Sequence, residues 1–159
     1  MATPTHFIDD RDLQSFVGPH QQLFSFQQPF RAFDGVEIFQ RVMSRLPRPG
    51  WPDEFTEDEI AAAHFIQAAG SADRMTVEIR KPVEDQSDRL FTIGHPPAHC
   101  TTEPPAEVIR FGEHTTPVYP NEIFVADKAA ELFFHYYKND DIPDGYVLRE
   151  LHFPEYENA

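Results

Sequence analysis

Met75, Val77 and Ile79 alternate with Thr76, Glu78 and Arg80. A period of two means a strand with one buried face. Residues 90–93 supply a second short apolar run, so the two should pair as a hairpin whose polar loop is longer than two residues. Residues 94–105 carry four prolines and predict a loop. A third strand is expected over 106–111 and a fourth over 116–119, together a meander. From Ala126 the period becomes helical. Ala126, Ala130, Phe133 and Tyr137 share one stripe, followed by a turn at 139–145 and a closing strand at 146–151.

The first half reads as mainly helical. Asp34 and Glu37 have the spacing of a capping box, and Val36, Phe39, Met43 and Leu46 recur at helical intervals, predicting a helix over 34–46 that stops at Pro47. Thr56 and Glu59 form a T-x-x-E box with Phe55 and Ile60 as its staple. That predicts a second helix over 57–69, with Gly70 as its C′ residue. Trp51, between prolines, is expected to anchor its loop to the core. Further upstream, residues 9–17 suggest one or two helical turns, and Leu23, Phe24 and Phe26 an extended piece interrupted by Pro29. The pattern predicts a single α+β domain over 1–159. Its antiparallel sheet has about four to six strands, drawn mostly from 74–151 and covered by helices near 34–46, 57–69 and 126–138, with a tail at 152–159.

Composition refines this. The chain has 159 residues, enough for one domain with a real core. It holds 15 Phe but 1 Trp, and Phe has no polar handle, so most of these rings belong inside. Formal net charge is -14, the wrong sign for nucleic acid or an anionic membrane surface. The same charge would steer a basic protein partner, and it also keeps a protein soluble. The lone Cys100 excludes an intrachain disulfide and fits a reducing compartment. With no basic, apolar N-terminal leader, the expected location is cytoplasmic.

Candidate chemistry is sparse. His95, His99 and Cys100 are zinc-type ligands in one loop, with His114 as a further donor, but their spacing matches no zinc signature. A thiol nucleophile at Cys100 would need a base that sequence adjacency to His99 does not provide. No phosphate loop, dinucleotide fingerprint or nucleophile elbow occurs, and neither metal nor cofactor is expected. The acids at 53–59 are explained by helix capping. Asp140, Asp141 and Asp144 are not, and with Tyr146 they form an acidic turn with an aromatic anchor, the candidate partner-binding residues.

The segment NEIFVADKAAELFFHYYKNDDIPDGYVLREL, with the strands MTVEIRK and RLFTIG before it, resembles the C-terminal part of small bacterial polymorphic-toxin immunity proteins over about residues 74–151. Val125 stands where that helix would be expected to carry a Ser or Thr cap. The resemblance implies a cytoplasmic, non-enzymatic protein that occludes the active site of a basic toxin domain. Two other classes stay open. One is a small enzyme or ligand-binding domain using the 94–114 loop; the other is a structural or assembly subunit.

Overall fold

Among the described residues, seven strands hydrogen-bond in the spatial order 14–17, 6–9, 40–45, 65–71, 74–82, 88–94 and 147–150, every neighbouring pair antiparallel. The computed structural model describes residues 2–11, 13–60, 64–82, 88–97 and 102–151. Strands β1 (His6–Asp9), β2 (Gln14–Val17), β3 (Gln40–Arg45) and β4 (Phe65–Ser71) come from the first half of the chain. Strands β5 (Arg74–Pro82), β6 (Asp88–Gly94) and β9 (Val147–Glu150) complete the sheet. A separate two-stranded ribbon, β7 (Glu107–Phe111) with β8 (His114–Val118), lies over β4 and β5. Helices α1 (Leu23–Arg31) and α3 (Ala126–Asn139) pack on each other, and α3 lies against β4 and β5. The architecture is α+β, as the pattern predicts.

The second half follows its periodicity. Met75, Val77 and Ile79 are buried, Glu78 is half-buried and Arg80 exposed. Helix α3 buries Ala126, Ala129, Ala130, Leu132, Phe133, Tyr136 and Tyr137. Its first buried residues, Ala126, Ala129 and Ala130, are small, which lets the helix approach the sheet closely. Val125 stands at its N-cap with no side-chain cap, and it ends at Asp140 in the left-handed region, φ 62°. The expected meander is corrected in one respect: among the described residues β7 and β8 pair only with each other. Ile109 at 0% exposure seals the ribbon onto the sheet. Gly112 N–H to the Gly35 carbonyl, 2.8 Å, ties down its tip.

The first half differs from the helical reading. Asp34 does cap, since its carboxylate accepts from the N–H groups of Val36, Glu37 and Ile38 at 2.9–3.0 Å. It closes a turn through Gly35, φ 77°, and Val36 of the supposed buried stripe is 66% exposed. The chain then runs as β3 between β1 and β4, so pairing on both edges satisfies its backbone. The Thr56–Glu59 box forms, with Glu59 N–H to Thr56 Oγ1 at 3.2 Å and Thr56 N–H to Glu59 at 3.1 Å. It opens α2 (Glu57–Ile60), but the helix does not reach the expected residue 69, because by Phe65 the backbone is extended. Alanine-rich propensity in 66–69 is overridden by two strand partners and the burial of Ile66 and Ala68.

Where helical turns are expected over 9–17, Asp9 and Gln14–Val17 are extended, and β1 and β2 pair antiparallel with Phe7 edge-on to its cross-strand partner Phe16 at 5.4 Å. Residues 23–31 form a helix, because Leu23, Phe26 and Phe30 recur at i, i+3 and i+7 and insert toward α3. Pro29 is tolerated within its last turn. Trp51 does not reach the core; it is 40% exposed, at the start of a 3-10 turn.

One core cluster fills the space between helices and sheet. Phe30 meets Phe133 edge-on at 4.7 Å, and Phe26 lies 5.6 Å from Tyr137 and 6.4 Å from Phe133. His6 is buried under Tyr137, ring centroids 4.5 Å apart, with Thr5 Oγ1 2.8 Å from its Nδ1. Burial, reinforced by Arg45, pushes its pKa down to about 4 from 6.5. The folded state therefore holds His6 neutral while the unfolded state protonates it between those values. The resulting stability is complete above pH 6.5 and is lost as pH falls toward 4. Urea titrations should show His6→Phe removing about 2–3 kcal/mol of the acid destabilisation across this window.

Gly70 is a second fixed point. It departs from its expected role as a helix C′ residue and sits inside β4 at φ +134°. A Cβ there would meet the Arg74 carbonyl at 2.4 Å, Met75 Cα at 2.8 Å and Ile109 at 3.0 Å. Gly70→Ala should cost roughly 3 kcal/mol or more of unfolding free energy, measurable by chemical denaturation.

Candidate functional site

The helices cover one face of the sheet. The opposite face carries the alternate positions of the same strands, and there a polar row crosses four strands. Gln67 on β4 faces Glu78 on β5, Glu78 faces Thr92 on β6, and Thr92 faces Arg149 on β9. The ribbon β7–β8 stands over part of this face and makes a cleft of about 640 Å³. Its floor includes Gln40, Gln67, Thr76 and Glu78, and the ribbon side adds Phe111, His114, Thr115 and Thr116. The volume suits a small organic molecule.

Two carboxylates near this row are treated differently. Glu122, from the 3-10 turn Pro120–Glu122, is 3% exposed. It is matched bidentately by Arg149 at 2.8 and 2.9 Å and accepts the Tyr119 N–H at 2.8 Å. That bond raises the Arg149 pKa further, and its guanidinium lies 5.2 Å from the Tyr119 ring centroid. Glu78 has no such cation. It accepts one bond from Gln67 Nε2, 2.5 Å, and burial pushes its pKa up, with Glu122 adding to the rise and Gln67 and Arg149 opposing it. Thr76, two residues before it and 2% exposed, has a buried hydroxyl without a hydrogen-bond partner.

The acidic turn is where the pattern predicts, at the end of α3. Asp140 caps the helix and forms an ion pair with Arg45. Asp141 pairs with Lys81 at 3.1 Å, accepts the Ile142 N–H at 2.8 Å, and its carbonyl lies 2.8 Å from His135 Nδ1. Asp144 is exposed. Tyr146 turns inward, half-buried, against Phe124 at 6.2 Å and His95 at 5.8 Å. The three aspartates thus share a rim, while the tyrosine belongs partly to the core. Beneath them, burial and then the charges of Asp140 and Asp141 push the Tyr136 hydroxyl up to about 12.

Of the loop donors, His95 and His114 are described, and each packs on a different aromatic ring. His95 packs on Phe124 at 4.4 Å, its N–H bonds the Asn121 carbonyl at 2.7 Å, and burial followed by Lys128 lowers its pKa. His114 stacks on Phe111 at 5.7 Å in the cleft wall. His99 and Cys100 lie outside the described residues. Among the described residues no three His, Cys, Asp or Glu side chains gather as a metal-holding group. No helix of the described residues is long and apolar enough to cross a membrane.

Searches for similarity add nothing: no protein-family model, curated protein or solved structure matches this chain. Sequence reasoning missed the Gln67–Glu78 row and Thr76. The alternation in MTVEIR placed Thr76 and Glu78 on one face, but only the ribbon makes that face a cleft.

Glu78 is a carboxylate whose ionisation opposes folding. Because its folded pKa is raised, the penalty is full at high pH and disappears as pH falls through the folded pKa toward the ordinary carboxyl range. Glu78→Gln retains an acceptor for Gln67 and should raise Tm at pH 7 by ~2–4 °C. In calorimetric scans that advantage should shrink steadily on acidification.

Proposed function

We propose that this chain is a non-enzymatic binding protein of the toxin-neutralising, immunity type. It acts in the cytoplasm on a basic toxin domain. The observation that carries this reading is the uncompensated acidic surface. Lys and Arg number 13 against 27 Asp and Glu. Arg31, Arg41, Arg48, Arg74, Arg89 and Lys128 are among the cations already paired with carboxylates. Glu37, Asp53, Glu57, Asp58, Glu113 and Asp144 are exposed and have no ion-pair partner among the described residues. A basic cleft approaching this surface is accelerated by the summed field.

Asp140, Asp141 and Asp144, with Tyr146 behind them, are the proposed contact rim. Two of these acids hold Arg45 and Lys81 through exposed pairs. Such pairs are worth only about 0–1 kcal/mol, so exchanging them for the partner's cations costs little. The resemblance over residues 74–151 supplies the toxin class, and the charge supplies the sign of the partner.

If a toxic domain is encoded by a neighbouring gene, co-expression of this chain with it should restore growth of the host. Failure to restore growth overturns the function. With the purified pair, Asp140→Asn, Asp141→Asn and Asp144→Asn together should slow association by about tenfold at low salt and flatten its salt dependence. An unchanged salt slope moves the interface away from this rim.

A further inference from the structure

The cleft between the sheet and the β7–β8 ribbon contains chemistry that toxin binding does not use. We propose that it is a binding site for a small organic cation, an alkyl guanidinium or alkyl ammonium, with Glu78 as its counter-ion. The inference stands independently of the immunity reading.

Charge is the first argument. Glu78 faces the cleft, and no Arg or Lys is among the residues that line it. Arg149, the cation whose charge acts on Glu78, is held bidentately by Glu122. Among the described residues, the one hydrogen-bond partner of the Glu78 carboxylate is the neutral amide of Gln67. Desolvation of this half-buried carboxylate is thus left without a matching positive charge, and a bound cation would supply it.

The second argument is the unused hydrogen-bonding capacity. Thr76 is 2% exposed and lines the same floor, yet its hydroxyl has no partner. Unsatisfied buried hydroxyls are uncommon and costly. A hydroxyl and a carboxylate side by side accept from a ligand with several N–H donors. Phe111 and His114, rings 5.7 Å apart, give the opposite wall an aromatic surface for an alkyl chain or a planar guanidinium.

Donor chemistry and size argue against a hard divalent metal as the occupant. Glu78 is the sole carboxylate lining a space of about 640 Å³, whereas a hard divalent cation takes six or so oxygen ligands at close range.

The test is an NMR titration of the full chain with agmatine, and with glucose as a neutral polyol. Agmatine should bind with a Kd below about 1 mM and shift the amides of Gln67, Thr76, Glu78 and Phe111. Glu78→Gln should weaken binding by at least ~tenfold, and Thr76→Val by about threefold, with Tm confirming that both variants fold. Shifts elsewhere, equal binding by Glu78→Gln, or glucose binding in place of agmatine would overturn the site. A Gly-Arg-Gly peptide binding more tightly than agmatine would also overturn the free-ligand assignment, giving the cleft to a partner's arginine side chain. Because no toxin enters this titration, its failure is distinguishable from failure of the growth-rescue experiment.

Discussion

The edge-on packing of Phe30 against Phe133 joins α1 to α3, and the rest of the molecule is organised around that contact. The rings lie 4.7 Å apart at 0% exposure. With Phe26 and Tyr137 beside them, they turn two amphipathic helices into one layer. That layer has a single broad apolar surface, and Met43, Ile66, Val77, Ile79 and Ile93 meet it from the sheet. Each of these buried side chains contributes about 1.5–3 kcal/mol by leaving water, so this face determines which way every central strand points. Once Met75, Val77 and Ile79 point inward, Thr76 and Glu78 must point to the other side.

The other face is therefore polar by geometric necessity, and the two halves of the molecule handle it differently. Toward β9, Arg149 and Glu122 neutralise each other. Toward β4, Glu78 and Thr76 are left incompletely paired beneath the ribbon. A purely structural polar row would be expected to close its hydrogen bonds, since a partly satisfied buried network is worse for stability than an apolar one. The imbalance is local, and it coincides with the cleft. The acidic rim at 140–144 sits on a different part of the surface, where its charges cost little and are open to exchange.

Residues 74–151 were largely legible because their local preferences agree with their tertiary environment. Alternation in 75–79, the apolar stripe of α3 and the turn after it each had one strong reading, and the structure follows all three. The first half was not legible because two signals competed. The alanines of FIQAAG favour a helix, and only the partners β3 and β5 turn it into a central strand. The spacing of Leu23, Phe26 and Phe30 is helical, but Pro29 masked it. Asp34 and Thr56 act as capping residues, yet Gly35 directs one toward a strand and the helix opened by the other gives way to β4 by Phe65. Capping shows that a turn begins and does not set how far the helix runs.

By itself, then, the sequence determined the α+β class, the strand–helix–turn–strand unit at its C-terminal end, the aromatic character of the core and the negative surface. These depend on composition and on periods of two or 3.6 residues, which are local properties of the chain. Tertiary structure alone decided that 40–45 and 65–71 are strands, that 23–31 is a helix, and that the ribbon folds over the polar face. It also decided that Glu122 has a cation and Glu78 does not. Those outcomes depend on contacts between residues far apart in sequence. Pairing and burial there exceed the few tenths of a kcal/mol per residue by which one local conformation is preferred over another.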